Sequence, residues 1–123
     1  MARILIIDDD EQVRELVNLY LTLDNHEVVT ARDGLEGIKK IESGQFDLVI
    51  TDIAMPEQDG LGVIMSQIGK PNRPKILAIS GGSRLLDSSN LLKTATLLKA
   101  DKALPKPVDY QTLKQAISEL LTE

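Results

Sequence analysis

The sequence predicts an α/β domain, a parallel five-stranded sheet with helices on both faces. Three observations point there. Short aliphatic runs recur along the chain, as in ILIIDDDEQVRE (4–15). Stretches with helical amphipathic spacing separate these runs, and regular β-α alternation implies parallel strands joined by covering helices. Charged residues gather where the runs end, not within them. The chain has 123 residues, enough for one domain over 1–123 and too few for two.

Arg3–Ile7 reads as a strand buried on both faces, because its aliphatic residues do not alternate with polar ones. Val13, Leu16, Val17, Tyr20 and Leu21 follow with the spacing of one helical face. Glu27–Ala31 is the second strand. Asp33 and Glu36 have the spacing of a capping box, and they open a helix whose inner face is Leu35, Ile38 and Ile41. Leu48–Thr51 is the third strand, and Leu61, Ile64, Met65 and Ile68 make the next helical face. A Pro-rich loop, GKPNRPK (69–75), leads into the fourth strand, Lys75–Ser80. The polar stretch GGSRLLDSSN (81–90) precedes a helix around Leu91–Leu98. Lys102–Leu104 is a short fifth strand. Asp109 caps a last helix with Leu113, Ala116, Ile117, Leu120 and Leu121 inward.

Composition excludes several function classes. There is no cysteine, so disulfides, thiolate metal sites and cysteine nucleophiles are ruled out. Tyr20, Phe46 and Tyr110 are the only aromatic residues, which leaves the core to aliphatic side chains. The formal net charge of −5 argues against a broad nucleic-acid surface. No apolar run approaches the roughly 20 residues of a membrane span. MARILIIDDD lacks the apolar length of a signal peptide. A cytoplasmic protein without membrane contact is the expectation.

In open α/β sheets, ligands bind outside the carboxyl ends of the strands, near the switch in strand order. Asp8, Asp9 and Asp10 follow the first strand, and Asp52 follows the third, in TDIAMPEQDG. Ser80 ends the fourth, in AISGG, and Lys106 follows the fifth, in LPKP. Crowded carboxylates repel: two charges about 5 Å apart cost about 3 kcal/mol at an effective dielectric of about 20. A divalent cation offsets that repulsion. Carboxylates without His or Cys suit a hard, oxygen-loving ion such as Mg²⁺, with Mn²⁺ as an acceptable substitute. Lysine is a compact point charge suited to phosphate. The Ser80 hydroxyl and the Gly81-Gly82 backbone offer donors to phosphoryl oxygens. An Asp beside such a cation and a lysine can itself accept a phosphoryl group. Asp10 and Glu11 fit the first turn of the first helix as cap and dipole partners. His26, the only histidine, falls in the turn before the second strand, away from this edge.

Together, IDDDEQ, TDIAMPEQDG, AISGG and LPKP, in this order and over the whole chain, resemble the CheY-like receiver domain of response regulators in two-component signalling. The resemblance implies a flavodoxin-like fold with strand order 2-1-3-4-5. It implies a phosphoacceptor in place of a turnover enzyme, with Asp52 taking a phosphoryl group from a phosphohistidine on a sensor histidine kinase or a histidine phosphotransfer protein. By the same match, Asp9 and Asp52 bind Mg²⁺ directly and the Ala54 carbonyl is the third protein ligand. Asp8 holds the metal through water. Ser80 and the Gly81 backbone contact the phosphoryl group, Lys106 pairs with it, and the Lys106–Pro107 bond is cis. The read-out positions depart from the pattern. Ala103 stands where an aromatic residue is common, Val108 where Phe is common, and Lys99 where Gly is usual.

Two other classes compete. Ala103 leaves nothing to swing inward on phosphorylation, which fits a receiver used only for protein contacts. Asp8-x-Asp10 also resembles the opening of haloacid-dehalogenase-type phosphatases, with Asp8 as nucleophile and Asp10 as general acid. That reading gives Asp52 no role and needs a later acidic motif, for which Asp109 is the only candidate. The chain is either a free-standing receiver or part of a larger regulator or hybrid kinase.

Overall fold

A computed structural model describes residues 2–52, 60–67, 70–80 and 100–122. Five strands form one sheet in the order β2-β1-β3-β4-β5. They are β1 (Arg3–Ile7), β2 (Glu27–Ala31), β3 (Leu48–Asp52), β4 (Lys75–Ser80) and β5 (Lys102–Pro105). Every pairing is parallel. Four helices lie among the described residues: α1 (Glu11–Leu23), α2 (Gly34–Ser43), α3 (Gly60–Gln67) and α4 (Tyr110–Leu121). The helix expected around Leu91–Leu98 lies outside the described residues.

The unbroken aliphatic runs have their cause in the layers. On one face Ile4, Ile6, Leu48, Ile50, Leu77 and Ile79 pack against Val17 and Leu21 of α1 and Leu113, Ala116, Ile117 and Leu120 of α4. On the other, Leu5, Ile7 and Val49 pack with Val63 of α3, while Ile38 and Ile41 of α2 lie against them. Ile4 to Ile7 are completely buried, at about 1.5–3 kcal/mol per side chain. Three helices begin as expected: Asp10, Asp33 and Asp109 accept from the amides of Gln12, Glu36 and Thr112. Asn25 takes a left-handed φ of 65° to end α1, a conformation that asparagine tolerates better than most residues.

Two helical faces differ from the expectation. Leu35 is 54% exposed, because α2 meets the sheet through glycine. A Cβ on Gly37 would lie 2.3 Å from Cδ1 of Ile7, so the backbone of α2 sits directly on β1 and Leu35 is turned to its flank. Leu16 is 45% exposed. It forms the lip of an apolar hollow of about 340 Å³, shared with Val13, Val17, Ile79, Lys106, Pro107 and Val108. In α3 Val63, Ile64 and Gln67 are buried, and the side chains of Leu61 and Met65 lie outside the described residues. Ile68 lies outside the described residues.

Candidate functional site

The register of β1 against β3 sets the first pair of carboxylates. Ile6 stands beside Ile50 and Ile7 beside Thr51, and one further residue on each strand brings Asp8 next to Asp52. Strand order reverses between β1 and β3, so this is also where a crevice opens at the carboxyl edge of the sheet. Asp8 continues the pleat of Ile4 and Ile6 and is completely buried. Asp9, one residue on, is exposed, and Asp52 is buried. One carboxylate oxygen from each of Asp8, Asp9 and Asp52 lies within 4.8 Å of the others.

Lys106 arrives from beyond β5. Its Nζ donates to Oδ2 of Asp52 at 3.1 Å and lies 2.9 Å from Oδ2 of Asp8. The Asp8 contact is an ion pair without hydrogen-bond alignment, so Asp8 Oδ2 is a buried oxygen with no hydrogen-bond donor. The other Asp8 oxygen accepts from the Asp10 amide at 2.9 Å. Burial pushes the Asp8 carboxyl above its ordinary range, opposed by the Asp10 N–H and Lys106 and reinforced by the charge of Asp52. Burial alone lowers the Lys106 ammonium, but the Asp8 and Asp52 carboxylates together outweigh it and hold Lys106 above the usual lysine range. The Lys106–Pro107 bond is cis.

A hard divalent cation fits this donor set. All three side chains offer oxygen, no histidine belongs to the cluster, and one buried Asp8 oxygen is held only by the Lys106 ion pair. Asp10 stands apart: its side chain caps α1 through the Gln12 amide at 2.9 Å. Asp109 likewise caps α4, and its carboxyl is held below the ordinary range by the Thr112 amide and hydroxyl. The backbone of Ser80 closes β4 beside Pro105. Ala54, Gly81 and Gly82 lie outside the described residues. Ala103 is half-buried and packs against Ile64, Ile76, Ala78 and Ala100. His26 lies at the opposite edge, where Nδ1 accepts from the Ala2 amide at 3.0 Å.

Sequence reading missed Arg14. Its guanidinium reaches back from α1 to donate to the backbone carbonyl of Asp8 at 2.7 Å. The only signal was an arginine one turn into a helix that starts beside an acidic loop.

Residues 4–118 match the response regulator receiver domain family, and the chain belongs to it. It is a CheY-like receiver domain, a module of two-component systems. Among curated relatives, the chemotaxis protein CheY of Treponema pallidum is 33% identical over 122 residues, covering 97% of this chain and 82% of that protein. The transcriptional regulatory protein GlrR of Escherichia coli is 36% identical over 123 residues, covering 99% of this chain but 27% of GlrR. The chain thus spans about a quarter of that longer regulator. Among solved structures, the response regulator TrrA of Thermotoga maritima, in complex with Mg²⁺-BeF, superposes with a TM-score of 0.83 at 36% identity, covering 98% of this chain and all of that one. Chemotaxis protein CheY4 of Vibrio cholerae superposes with a TM-score of 0.85 at 27% identity, covering 98% and 99% of the two chains.

Proposed function

We propose that this receiver takes a phosphoryl group onto Asp52 from a phosphohistidine on a sensor histidine kinase or a histidine phosphotransfer protein. The observation that carries the reading is the convergence of Asp8, Asp9, Asp52 and Lys106 at the switch in strand order, with one buried Asp8 oxygen held only by the Lys106 ion pair. A carboxylate oxygen of Asp52 attacks phosphorus, the phosphorus–nitrogen bond of the donor breaks, and the departing imidazole keeps that electron pair. Phosphoryl transfer needs positioning and charge neutralisation above all. Lys106, already on Asp52, is placed to pair with the phosphoryl oxygens once they arrive. Ser80 and the Gly81 amide are assigned to those oxygens as well. Bound Mg²⁺, or Mn²⁺ in its place, supplies the charge that lets anionic donor and acceptor approach. Asp9, Asp52 and the Ala54 carbonyl would hold it directly, and Asp8 would hold it through water.

On this reading the chain is a single domain over 1–123, cytoplasmic, and a phosphoacceptor in place of a turnover enzyme. It works without direct contact to nucleic acid or membrane. Among the described residues no helix is long and apolar enough to cross a membrane. Incubation with Mg²⁺ and a small acyl-phosphate donor adds one hydroxylamine-labile phosphoryl group, and Asp52→Asn removes it. An adduct on Asp8 would overturn the assignment. Absence of any adduct, with both the small donor and a phosphohistidine protein, makes the chain a protein-contact module instead.

A further inference from the structure

We infer that Arg14 is a positioning residue for the metal site, acting through the backbone of Asp8; the inference rests on the Mg²⁺ reading above. Asp8 lies one residue past the ladder of β1, where its carbonyl has no strand partner among the described residues. The Asp8 amide still reaches the Ala31 carbonyl at 3.2 Å. The chain must then turn sharply into α1. Two local bonds make that turn: the Asp10 amide to the Asp8 side chain, and the Gln12 amide to the Asp10 side chain. Neither fixes the peptide plane between Asp8 and Asp9. Arg14 does. Its own amide closes the first helical bond, to the Asp10 carbonyl at 3.0 Å. Its half-buried guanidinium takes the Asp8 carbonyl at 2.7 Å, the shortest hydrogen bond in this loop.

That plane decides where the Asp9 side chain leaves the backbone, since Asp9 begins on the far side of the same peptide bond. Asp9 is the exposed member of the carboxylate cluster, without the packing that holds Asp8 and Asp52. Its aim therefore depends on its backbone. Arg14 makes no ion pair with Asp8, Asp9 or Asp52. It directs its charge at a neutral carbonyl and not at the acidic oxygens.

The sign of the effect separates position from charge. A guanidinium near a metal site repels a divalent cation, so by Coulomb interaction alone its removal tightens Mg²⁺ binding. As a positioning residue, its removal weakens binding, and loss of such outer contacts typically costs about 10- to 100-fold in metal affinity. The test is an Mg²⁺ titration followed by the backbone amide resonances of Asp8, Asp9 and Asp52, with thermal unfolding measured beside it. Arg14→Met is expected to weaken Mg²⁺ roughly tenfold. Arg14→Lys, which keeps a long cationic donor, is expected to recover most of the affinity. A purely structural role would lower the unfolding midpoint of Arg14→Met and leave the dissociation constant of the folded protein unchanged. That result, or tighter binding, overturns the inference while the metal reading stands. If Arg14→Met does not fold, Arg14→Lys decides alone: binding tighter than the native chain's overturns the inference, and equal or slightly weaker binding supports it. A native chain that binds no Mg²⁺ overturns both.

Discussion

The two edges of the sheet use charge in opposite ways. At the amino edge two acids are spent on the fold. Oδ2 of Asp47 accepts from the Arg3 amide at 2.8 Å, and the Asp47 amide donates back to the Arg3 carbonyl at 2.8 Å. Asp101 repeats the device one strand pair away. Its Oδ2 accepts from the Ile76 amide at 2.7 Å, its amide donates to the Ile76 carbonyl at 2.9 Å, and Arg73 grips both carboxylate oxygens. At the carboxyl edge, by contrast, Asp8 is buried with one oxygen held only by its ion pair to Lys106, next to a second buried carboxylate. Acids bonded to backbone amides hold loops to strands. Two crowded carboxylates that share one lysine keep a mutual repulsion that a further cation would relieve.

The contrast can be broken by exchange. Asp52→Asn should abolish the phosphoryl adduct completely, as read by intact mass, and leave cooperative unfolding in place. Asp101→Ala should do the reverse. It deprives the Ile76 amide and the Arg73 guanidinium of their acceptor at about 2–3 kcal/mol in urea unfolding, and the adduct still forms. Loss of the adduct in Asp101→Ala would mean that the two edges are coupled.

A smaller effect sharpens the account of the carboxyl edge. Mg²⁺ at about ten times its dissociation constant should raise the native chain's unfolding free energy by about 1.4 kcal/mol. Asp8→Asn removes a buried charge that faces Asp52. It should therefore raise the midpoint without Mg²⁺ and shrink the gain that Mg²⁺ brings. A lower midpoint would show that the Lys106 contact outweighs the repulsion.

The smallest effect concerns His26. Burial, and secondarily the nearby chain terminus, lowers its imidazole below the ordinary 6.5, with Asp24 opposing. A depressed base binds its proton more readily in the unfolded chain. The stability it preserves is thus complete above about pH 6.5 and lost as pH falls through the folded value. Nδ1 must also stay unprotonated to accept from the Ala2 amide. His26→Asn, which keeps an acceptor but does not titrate, should flatten the difference in urea midpoint between pH 7.5 and 5.5. An unchanged slope in that variant would assign the difference to other groups.

The order of strands and helices was legible because burial on both faces leaves unbroken aliphatic runs, and α1 and α4 keep a helical apolar spacing. The caps Asp10, Asp33 and Asp109 were legible for a related reason. Their bonds span two or three residues, so local sequence contains both partners. That Asp8, Asp9, Asp52 and Lys106 meet was also readable, since strand ends collect them. What the sequence could not decide was which neighbour of a pair is buried. Asp8 and Asp9 are chemically identical, and only the pleat of β1 and its register against β3 bury the first and expose the second. Nor could spacing turn Leu35 outward, because that follows from the close approach of Gly37 to Ile7. The grip of Arg14 on the Asp8 carbonyl, and of Asp101 on Ile76 across 25 residues of chain, are likewise tertiary facts. Periodicity and side-chain chemistry are written along the chain. Burial, and the satisfaction of each polar atom, exist only once distant segments meet.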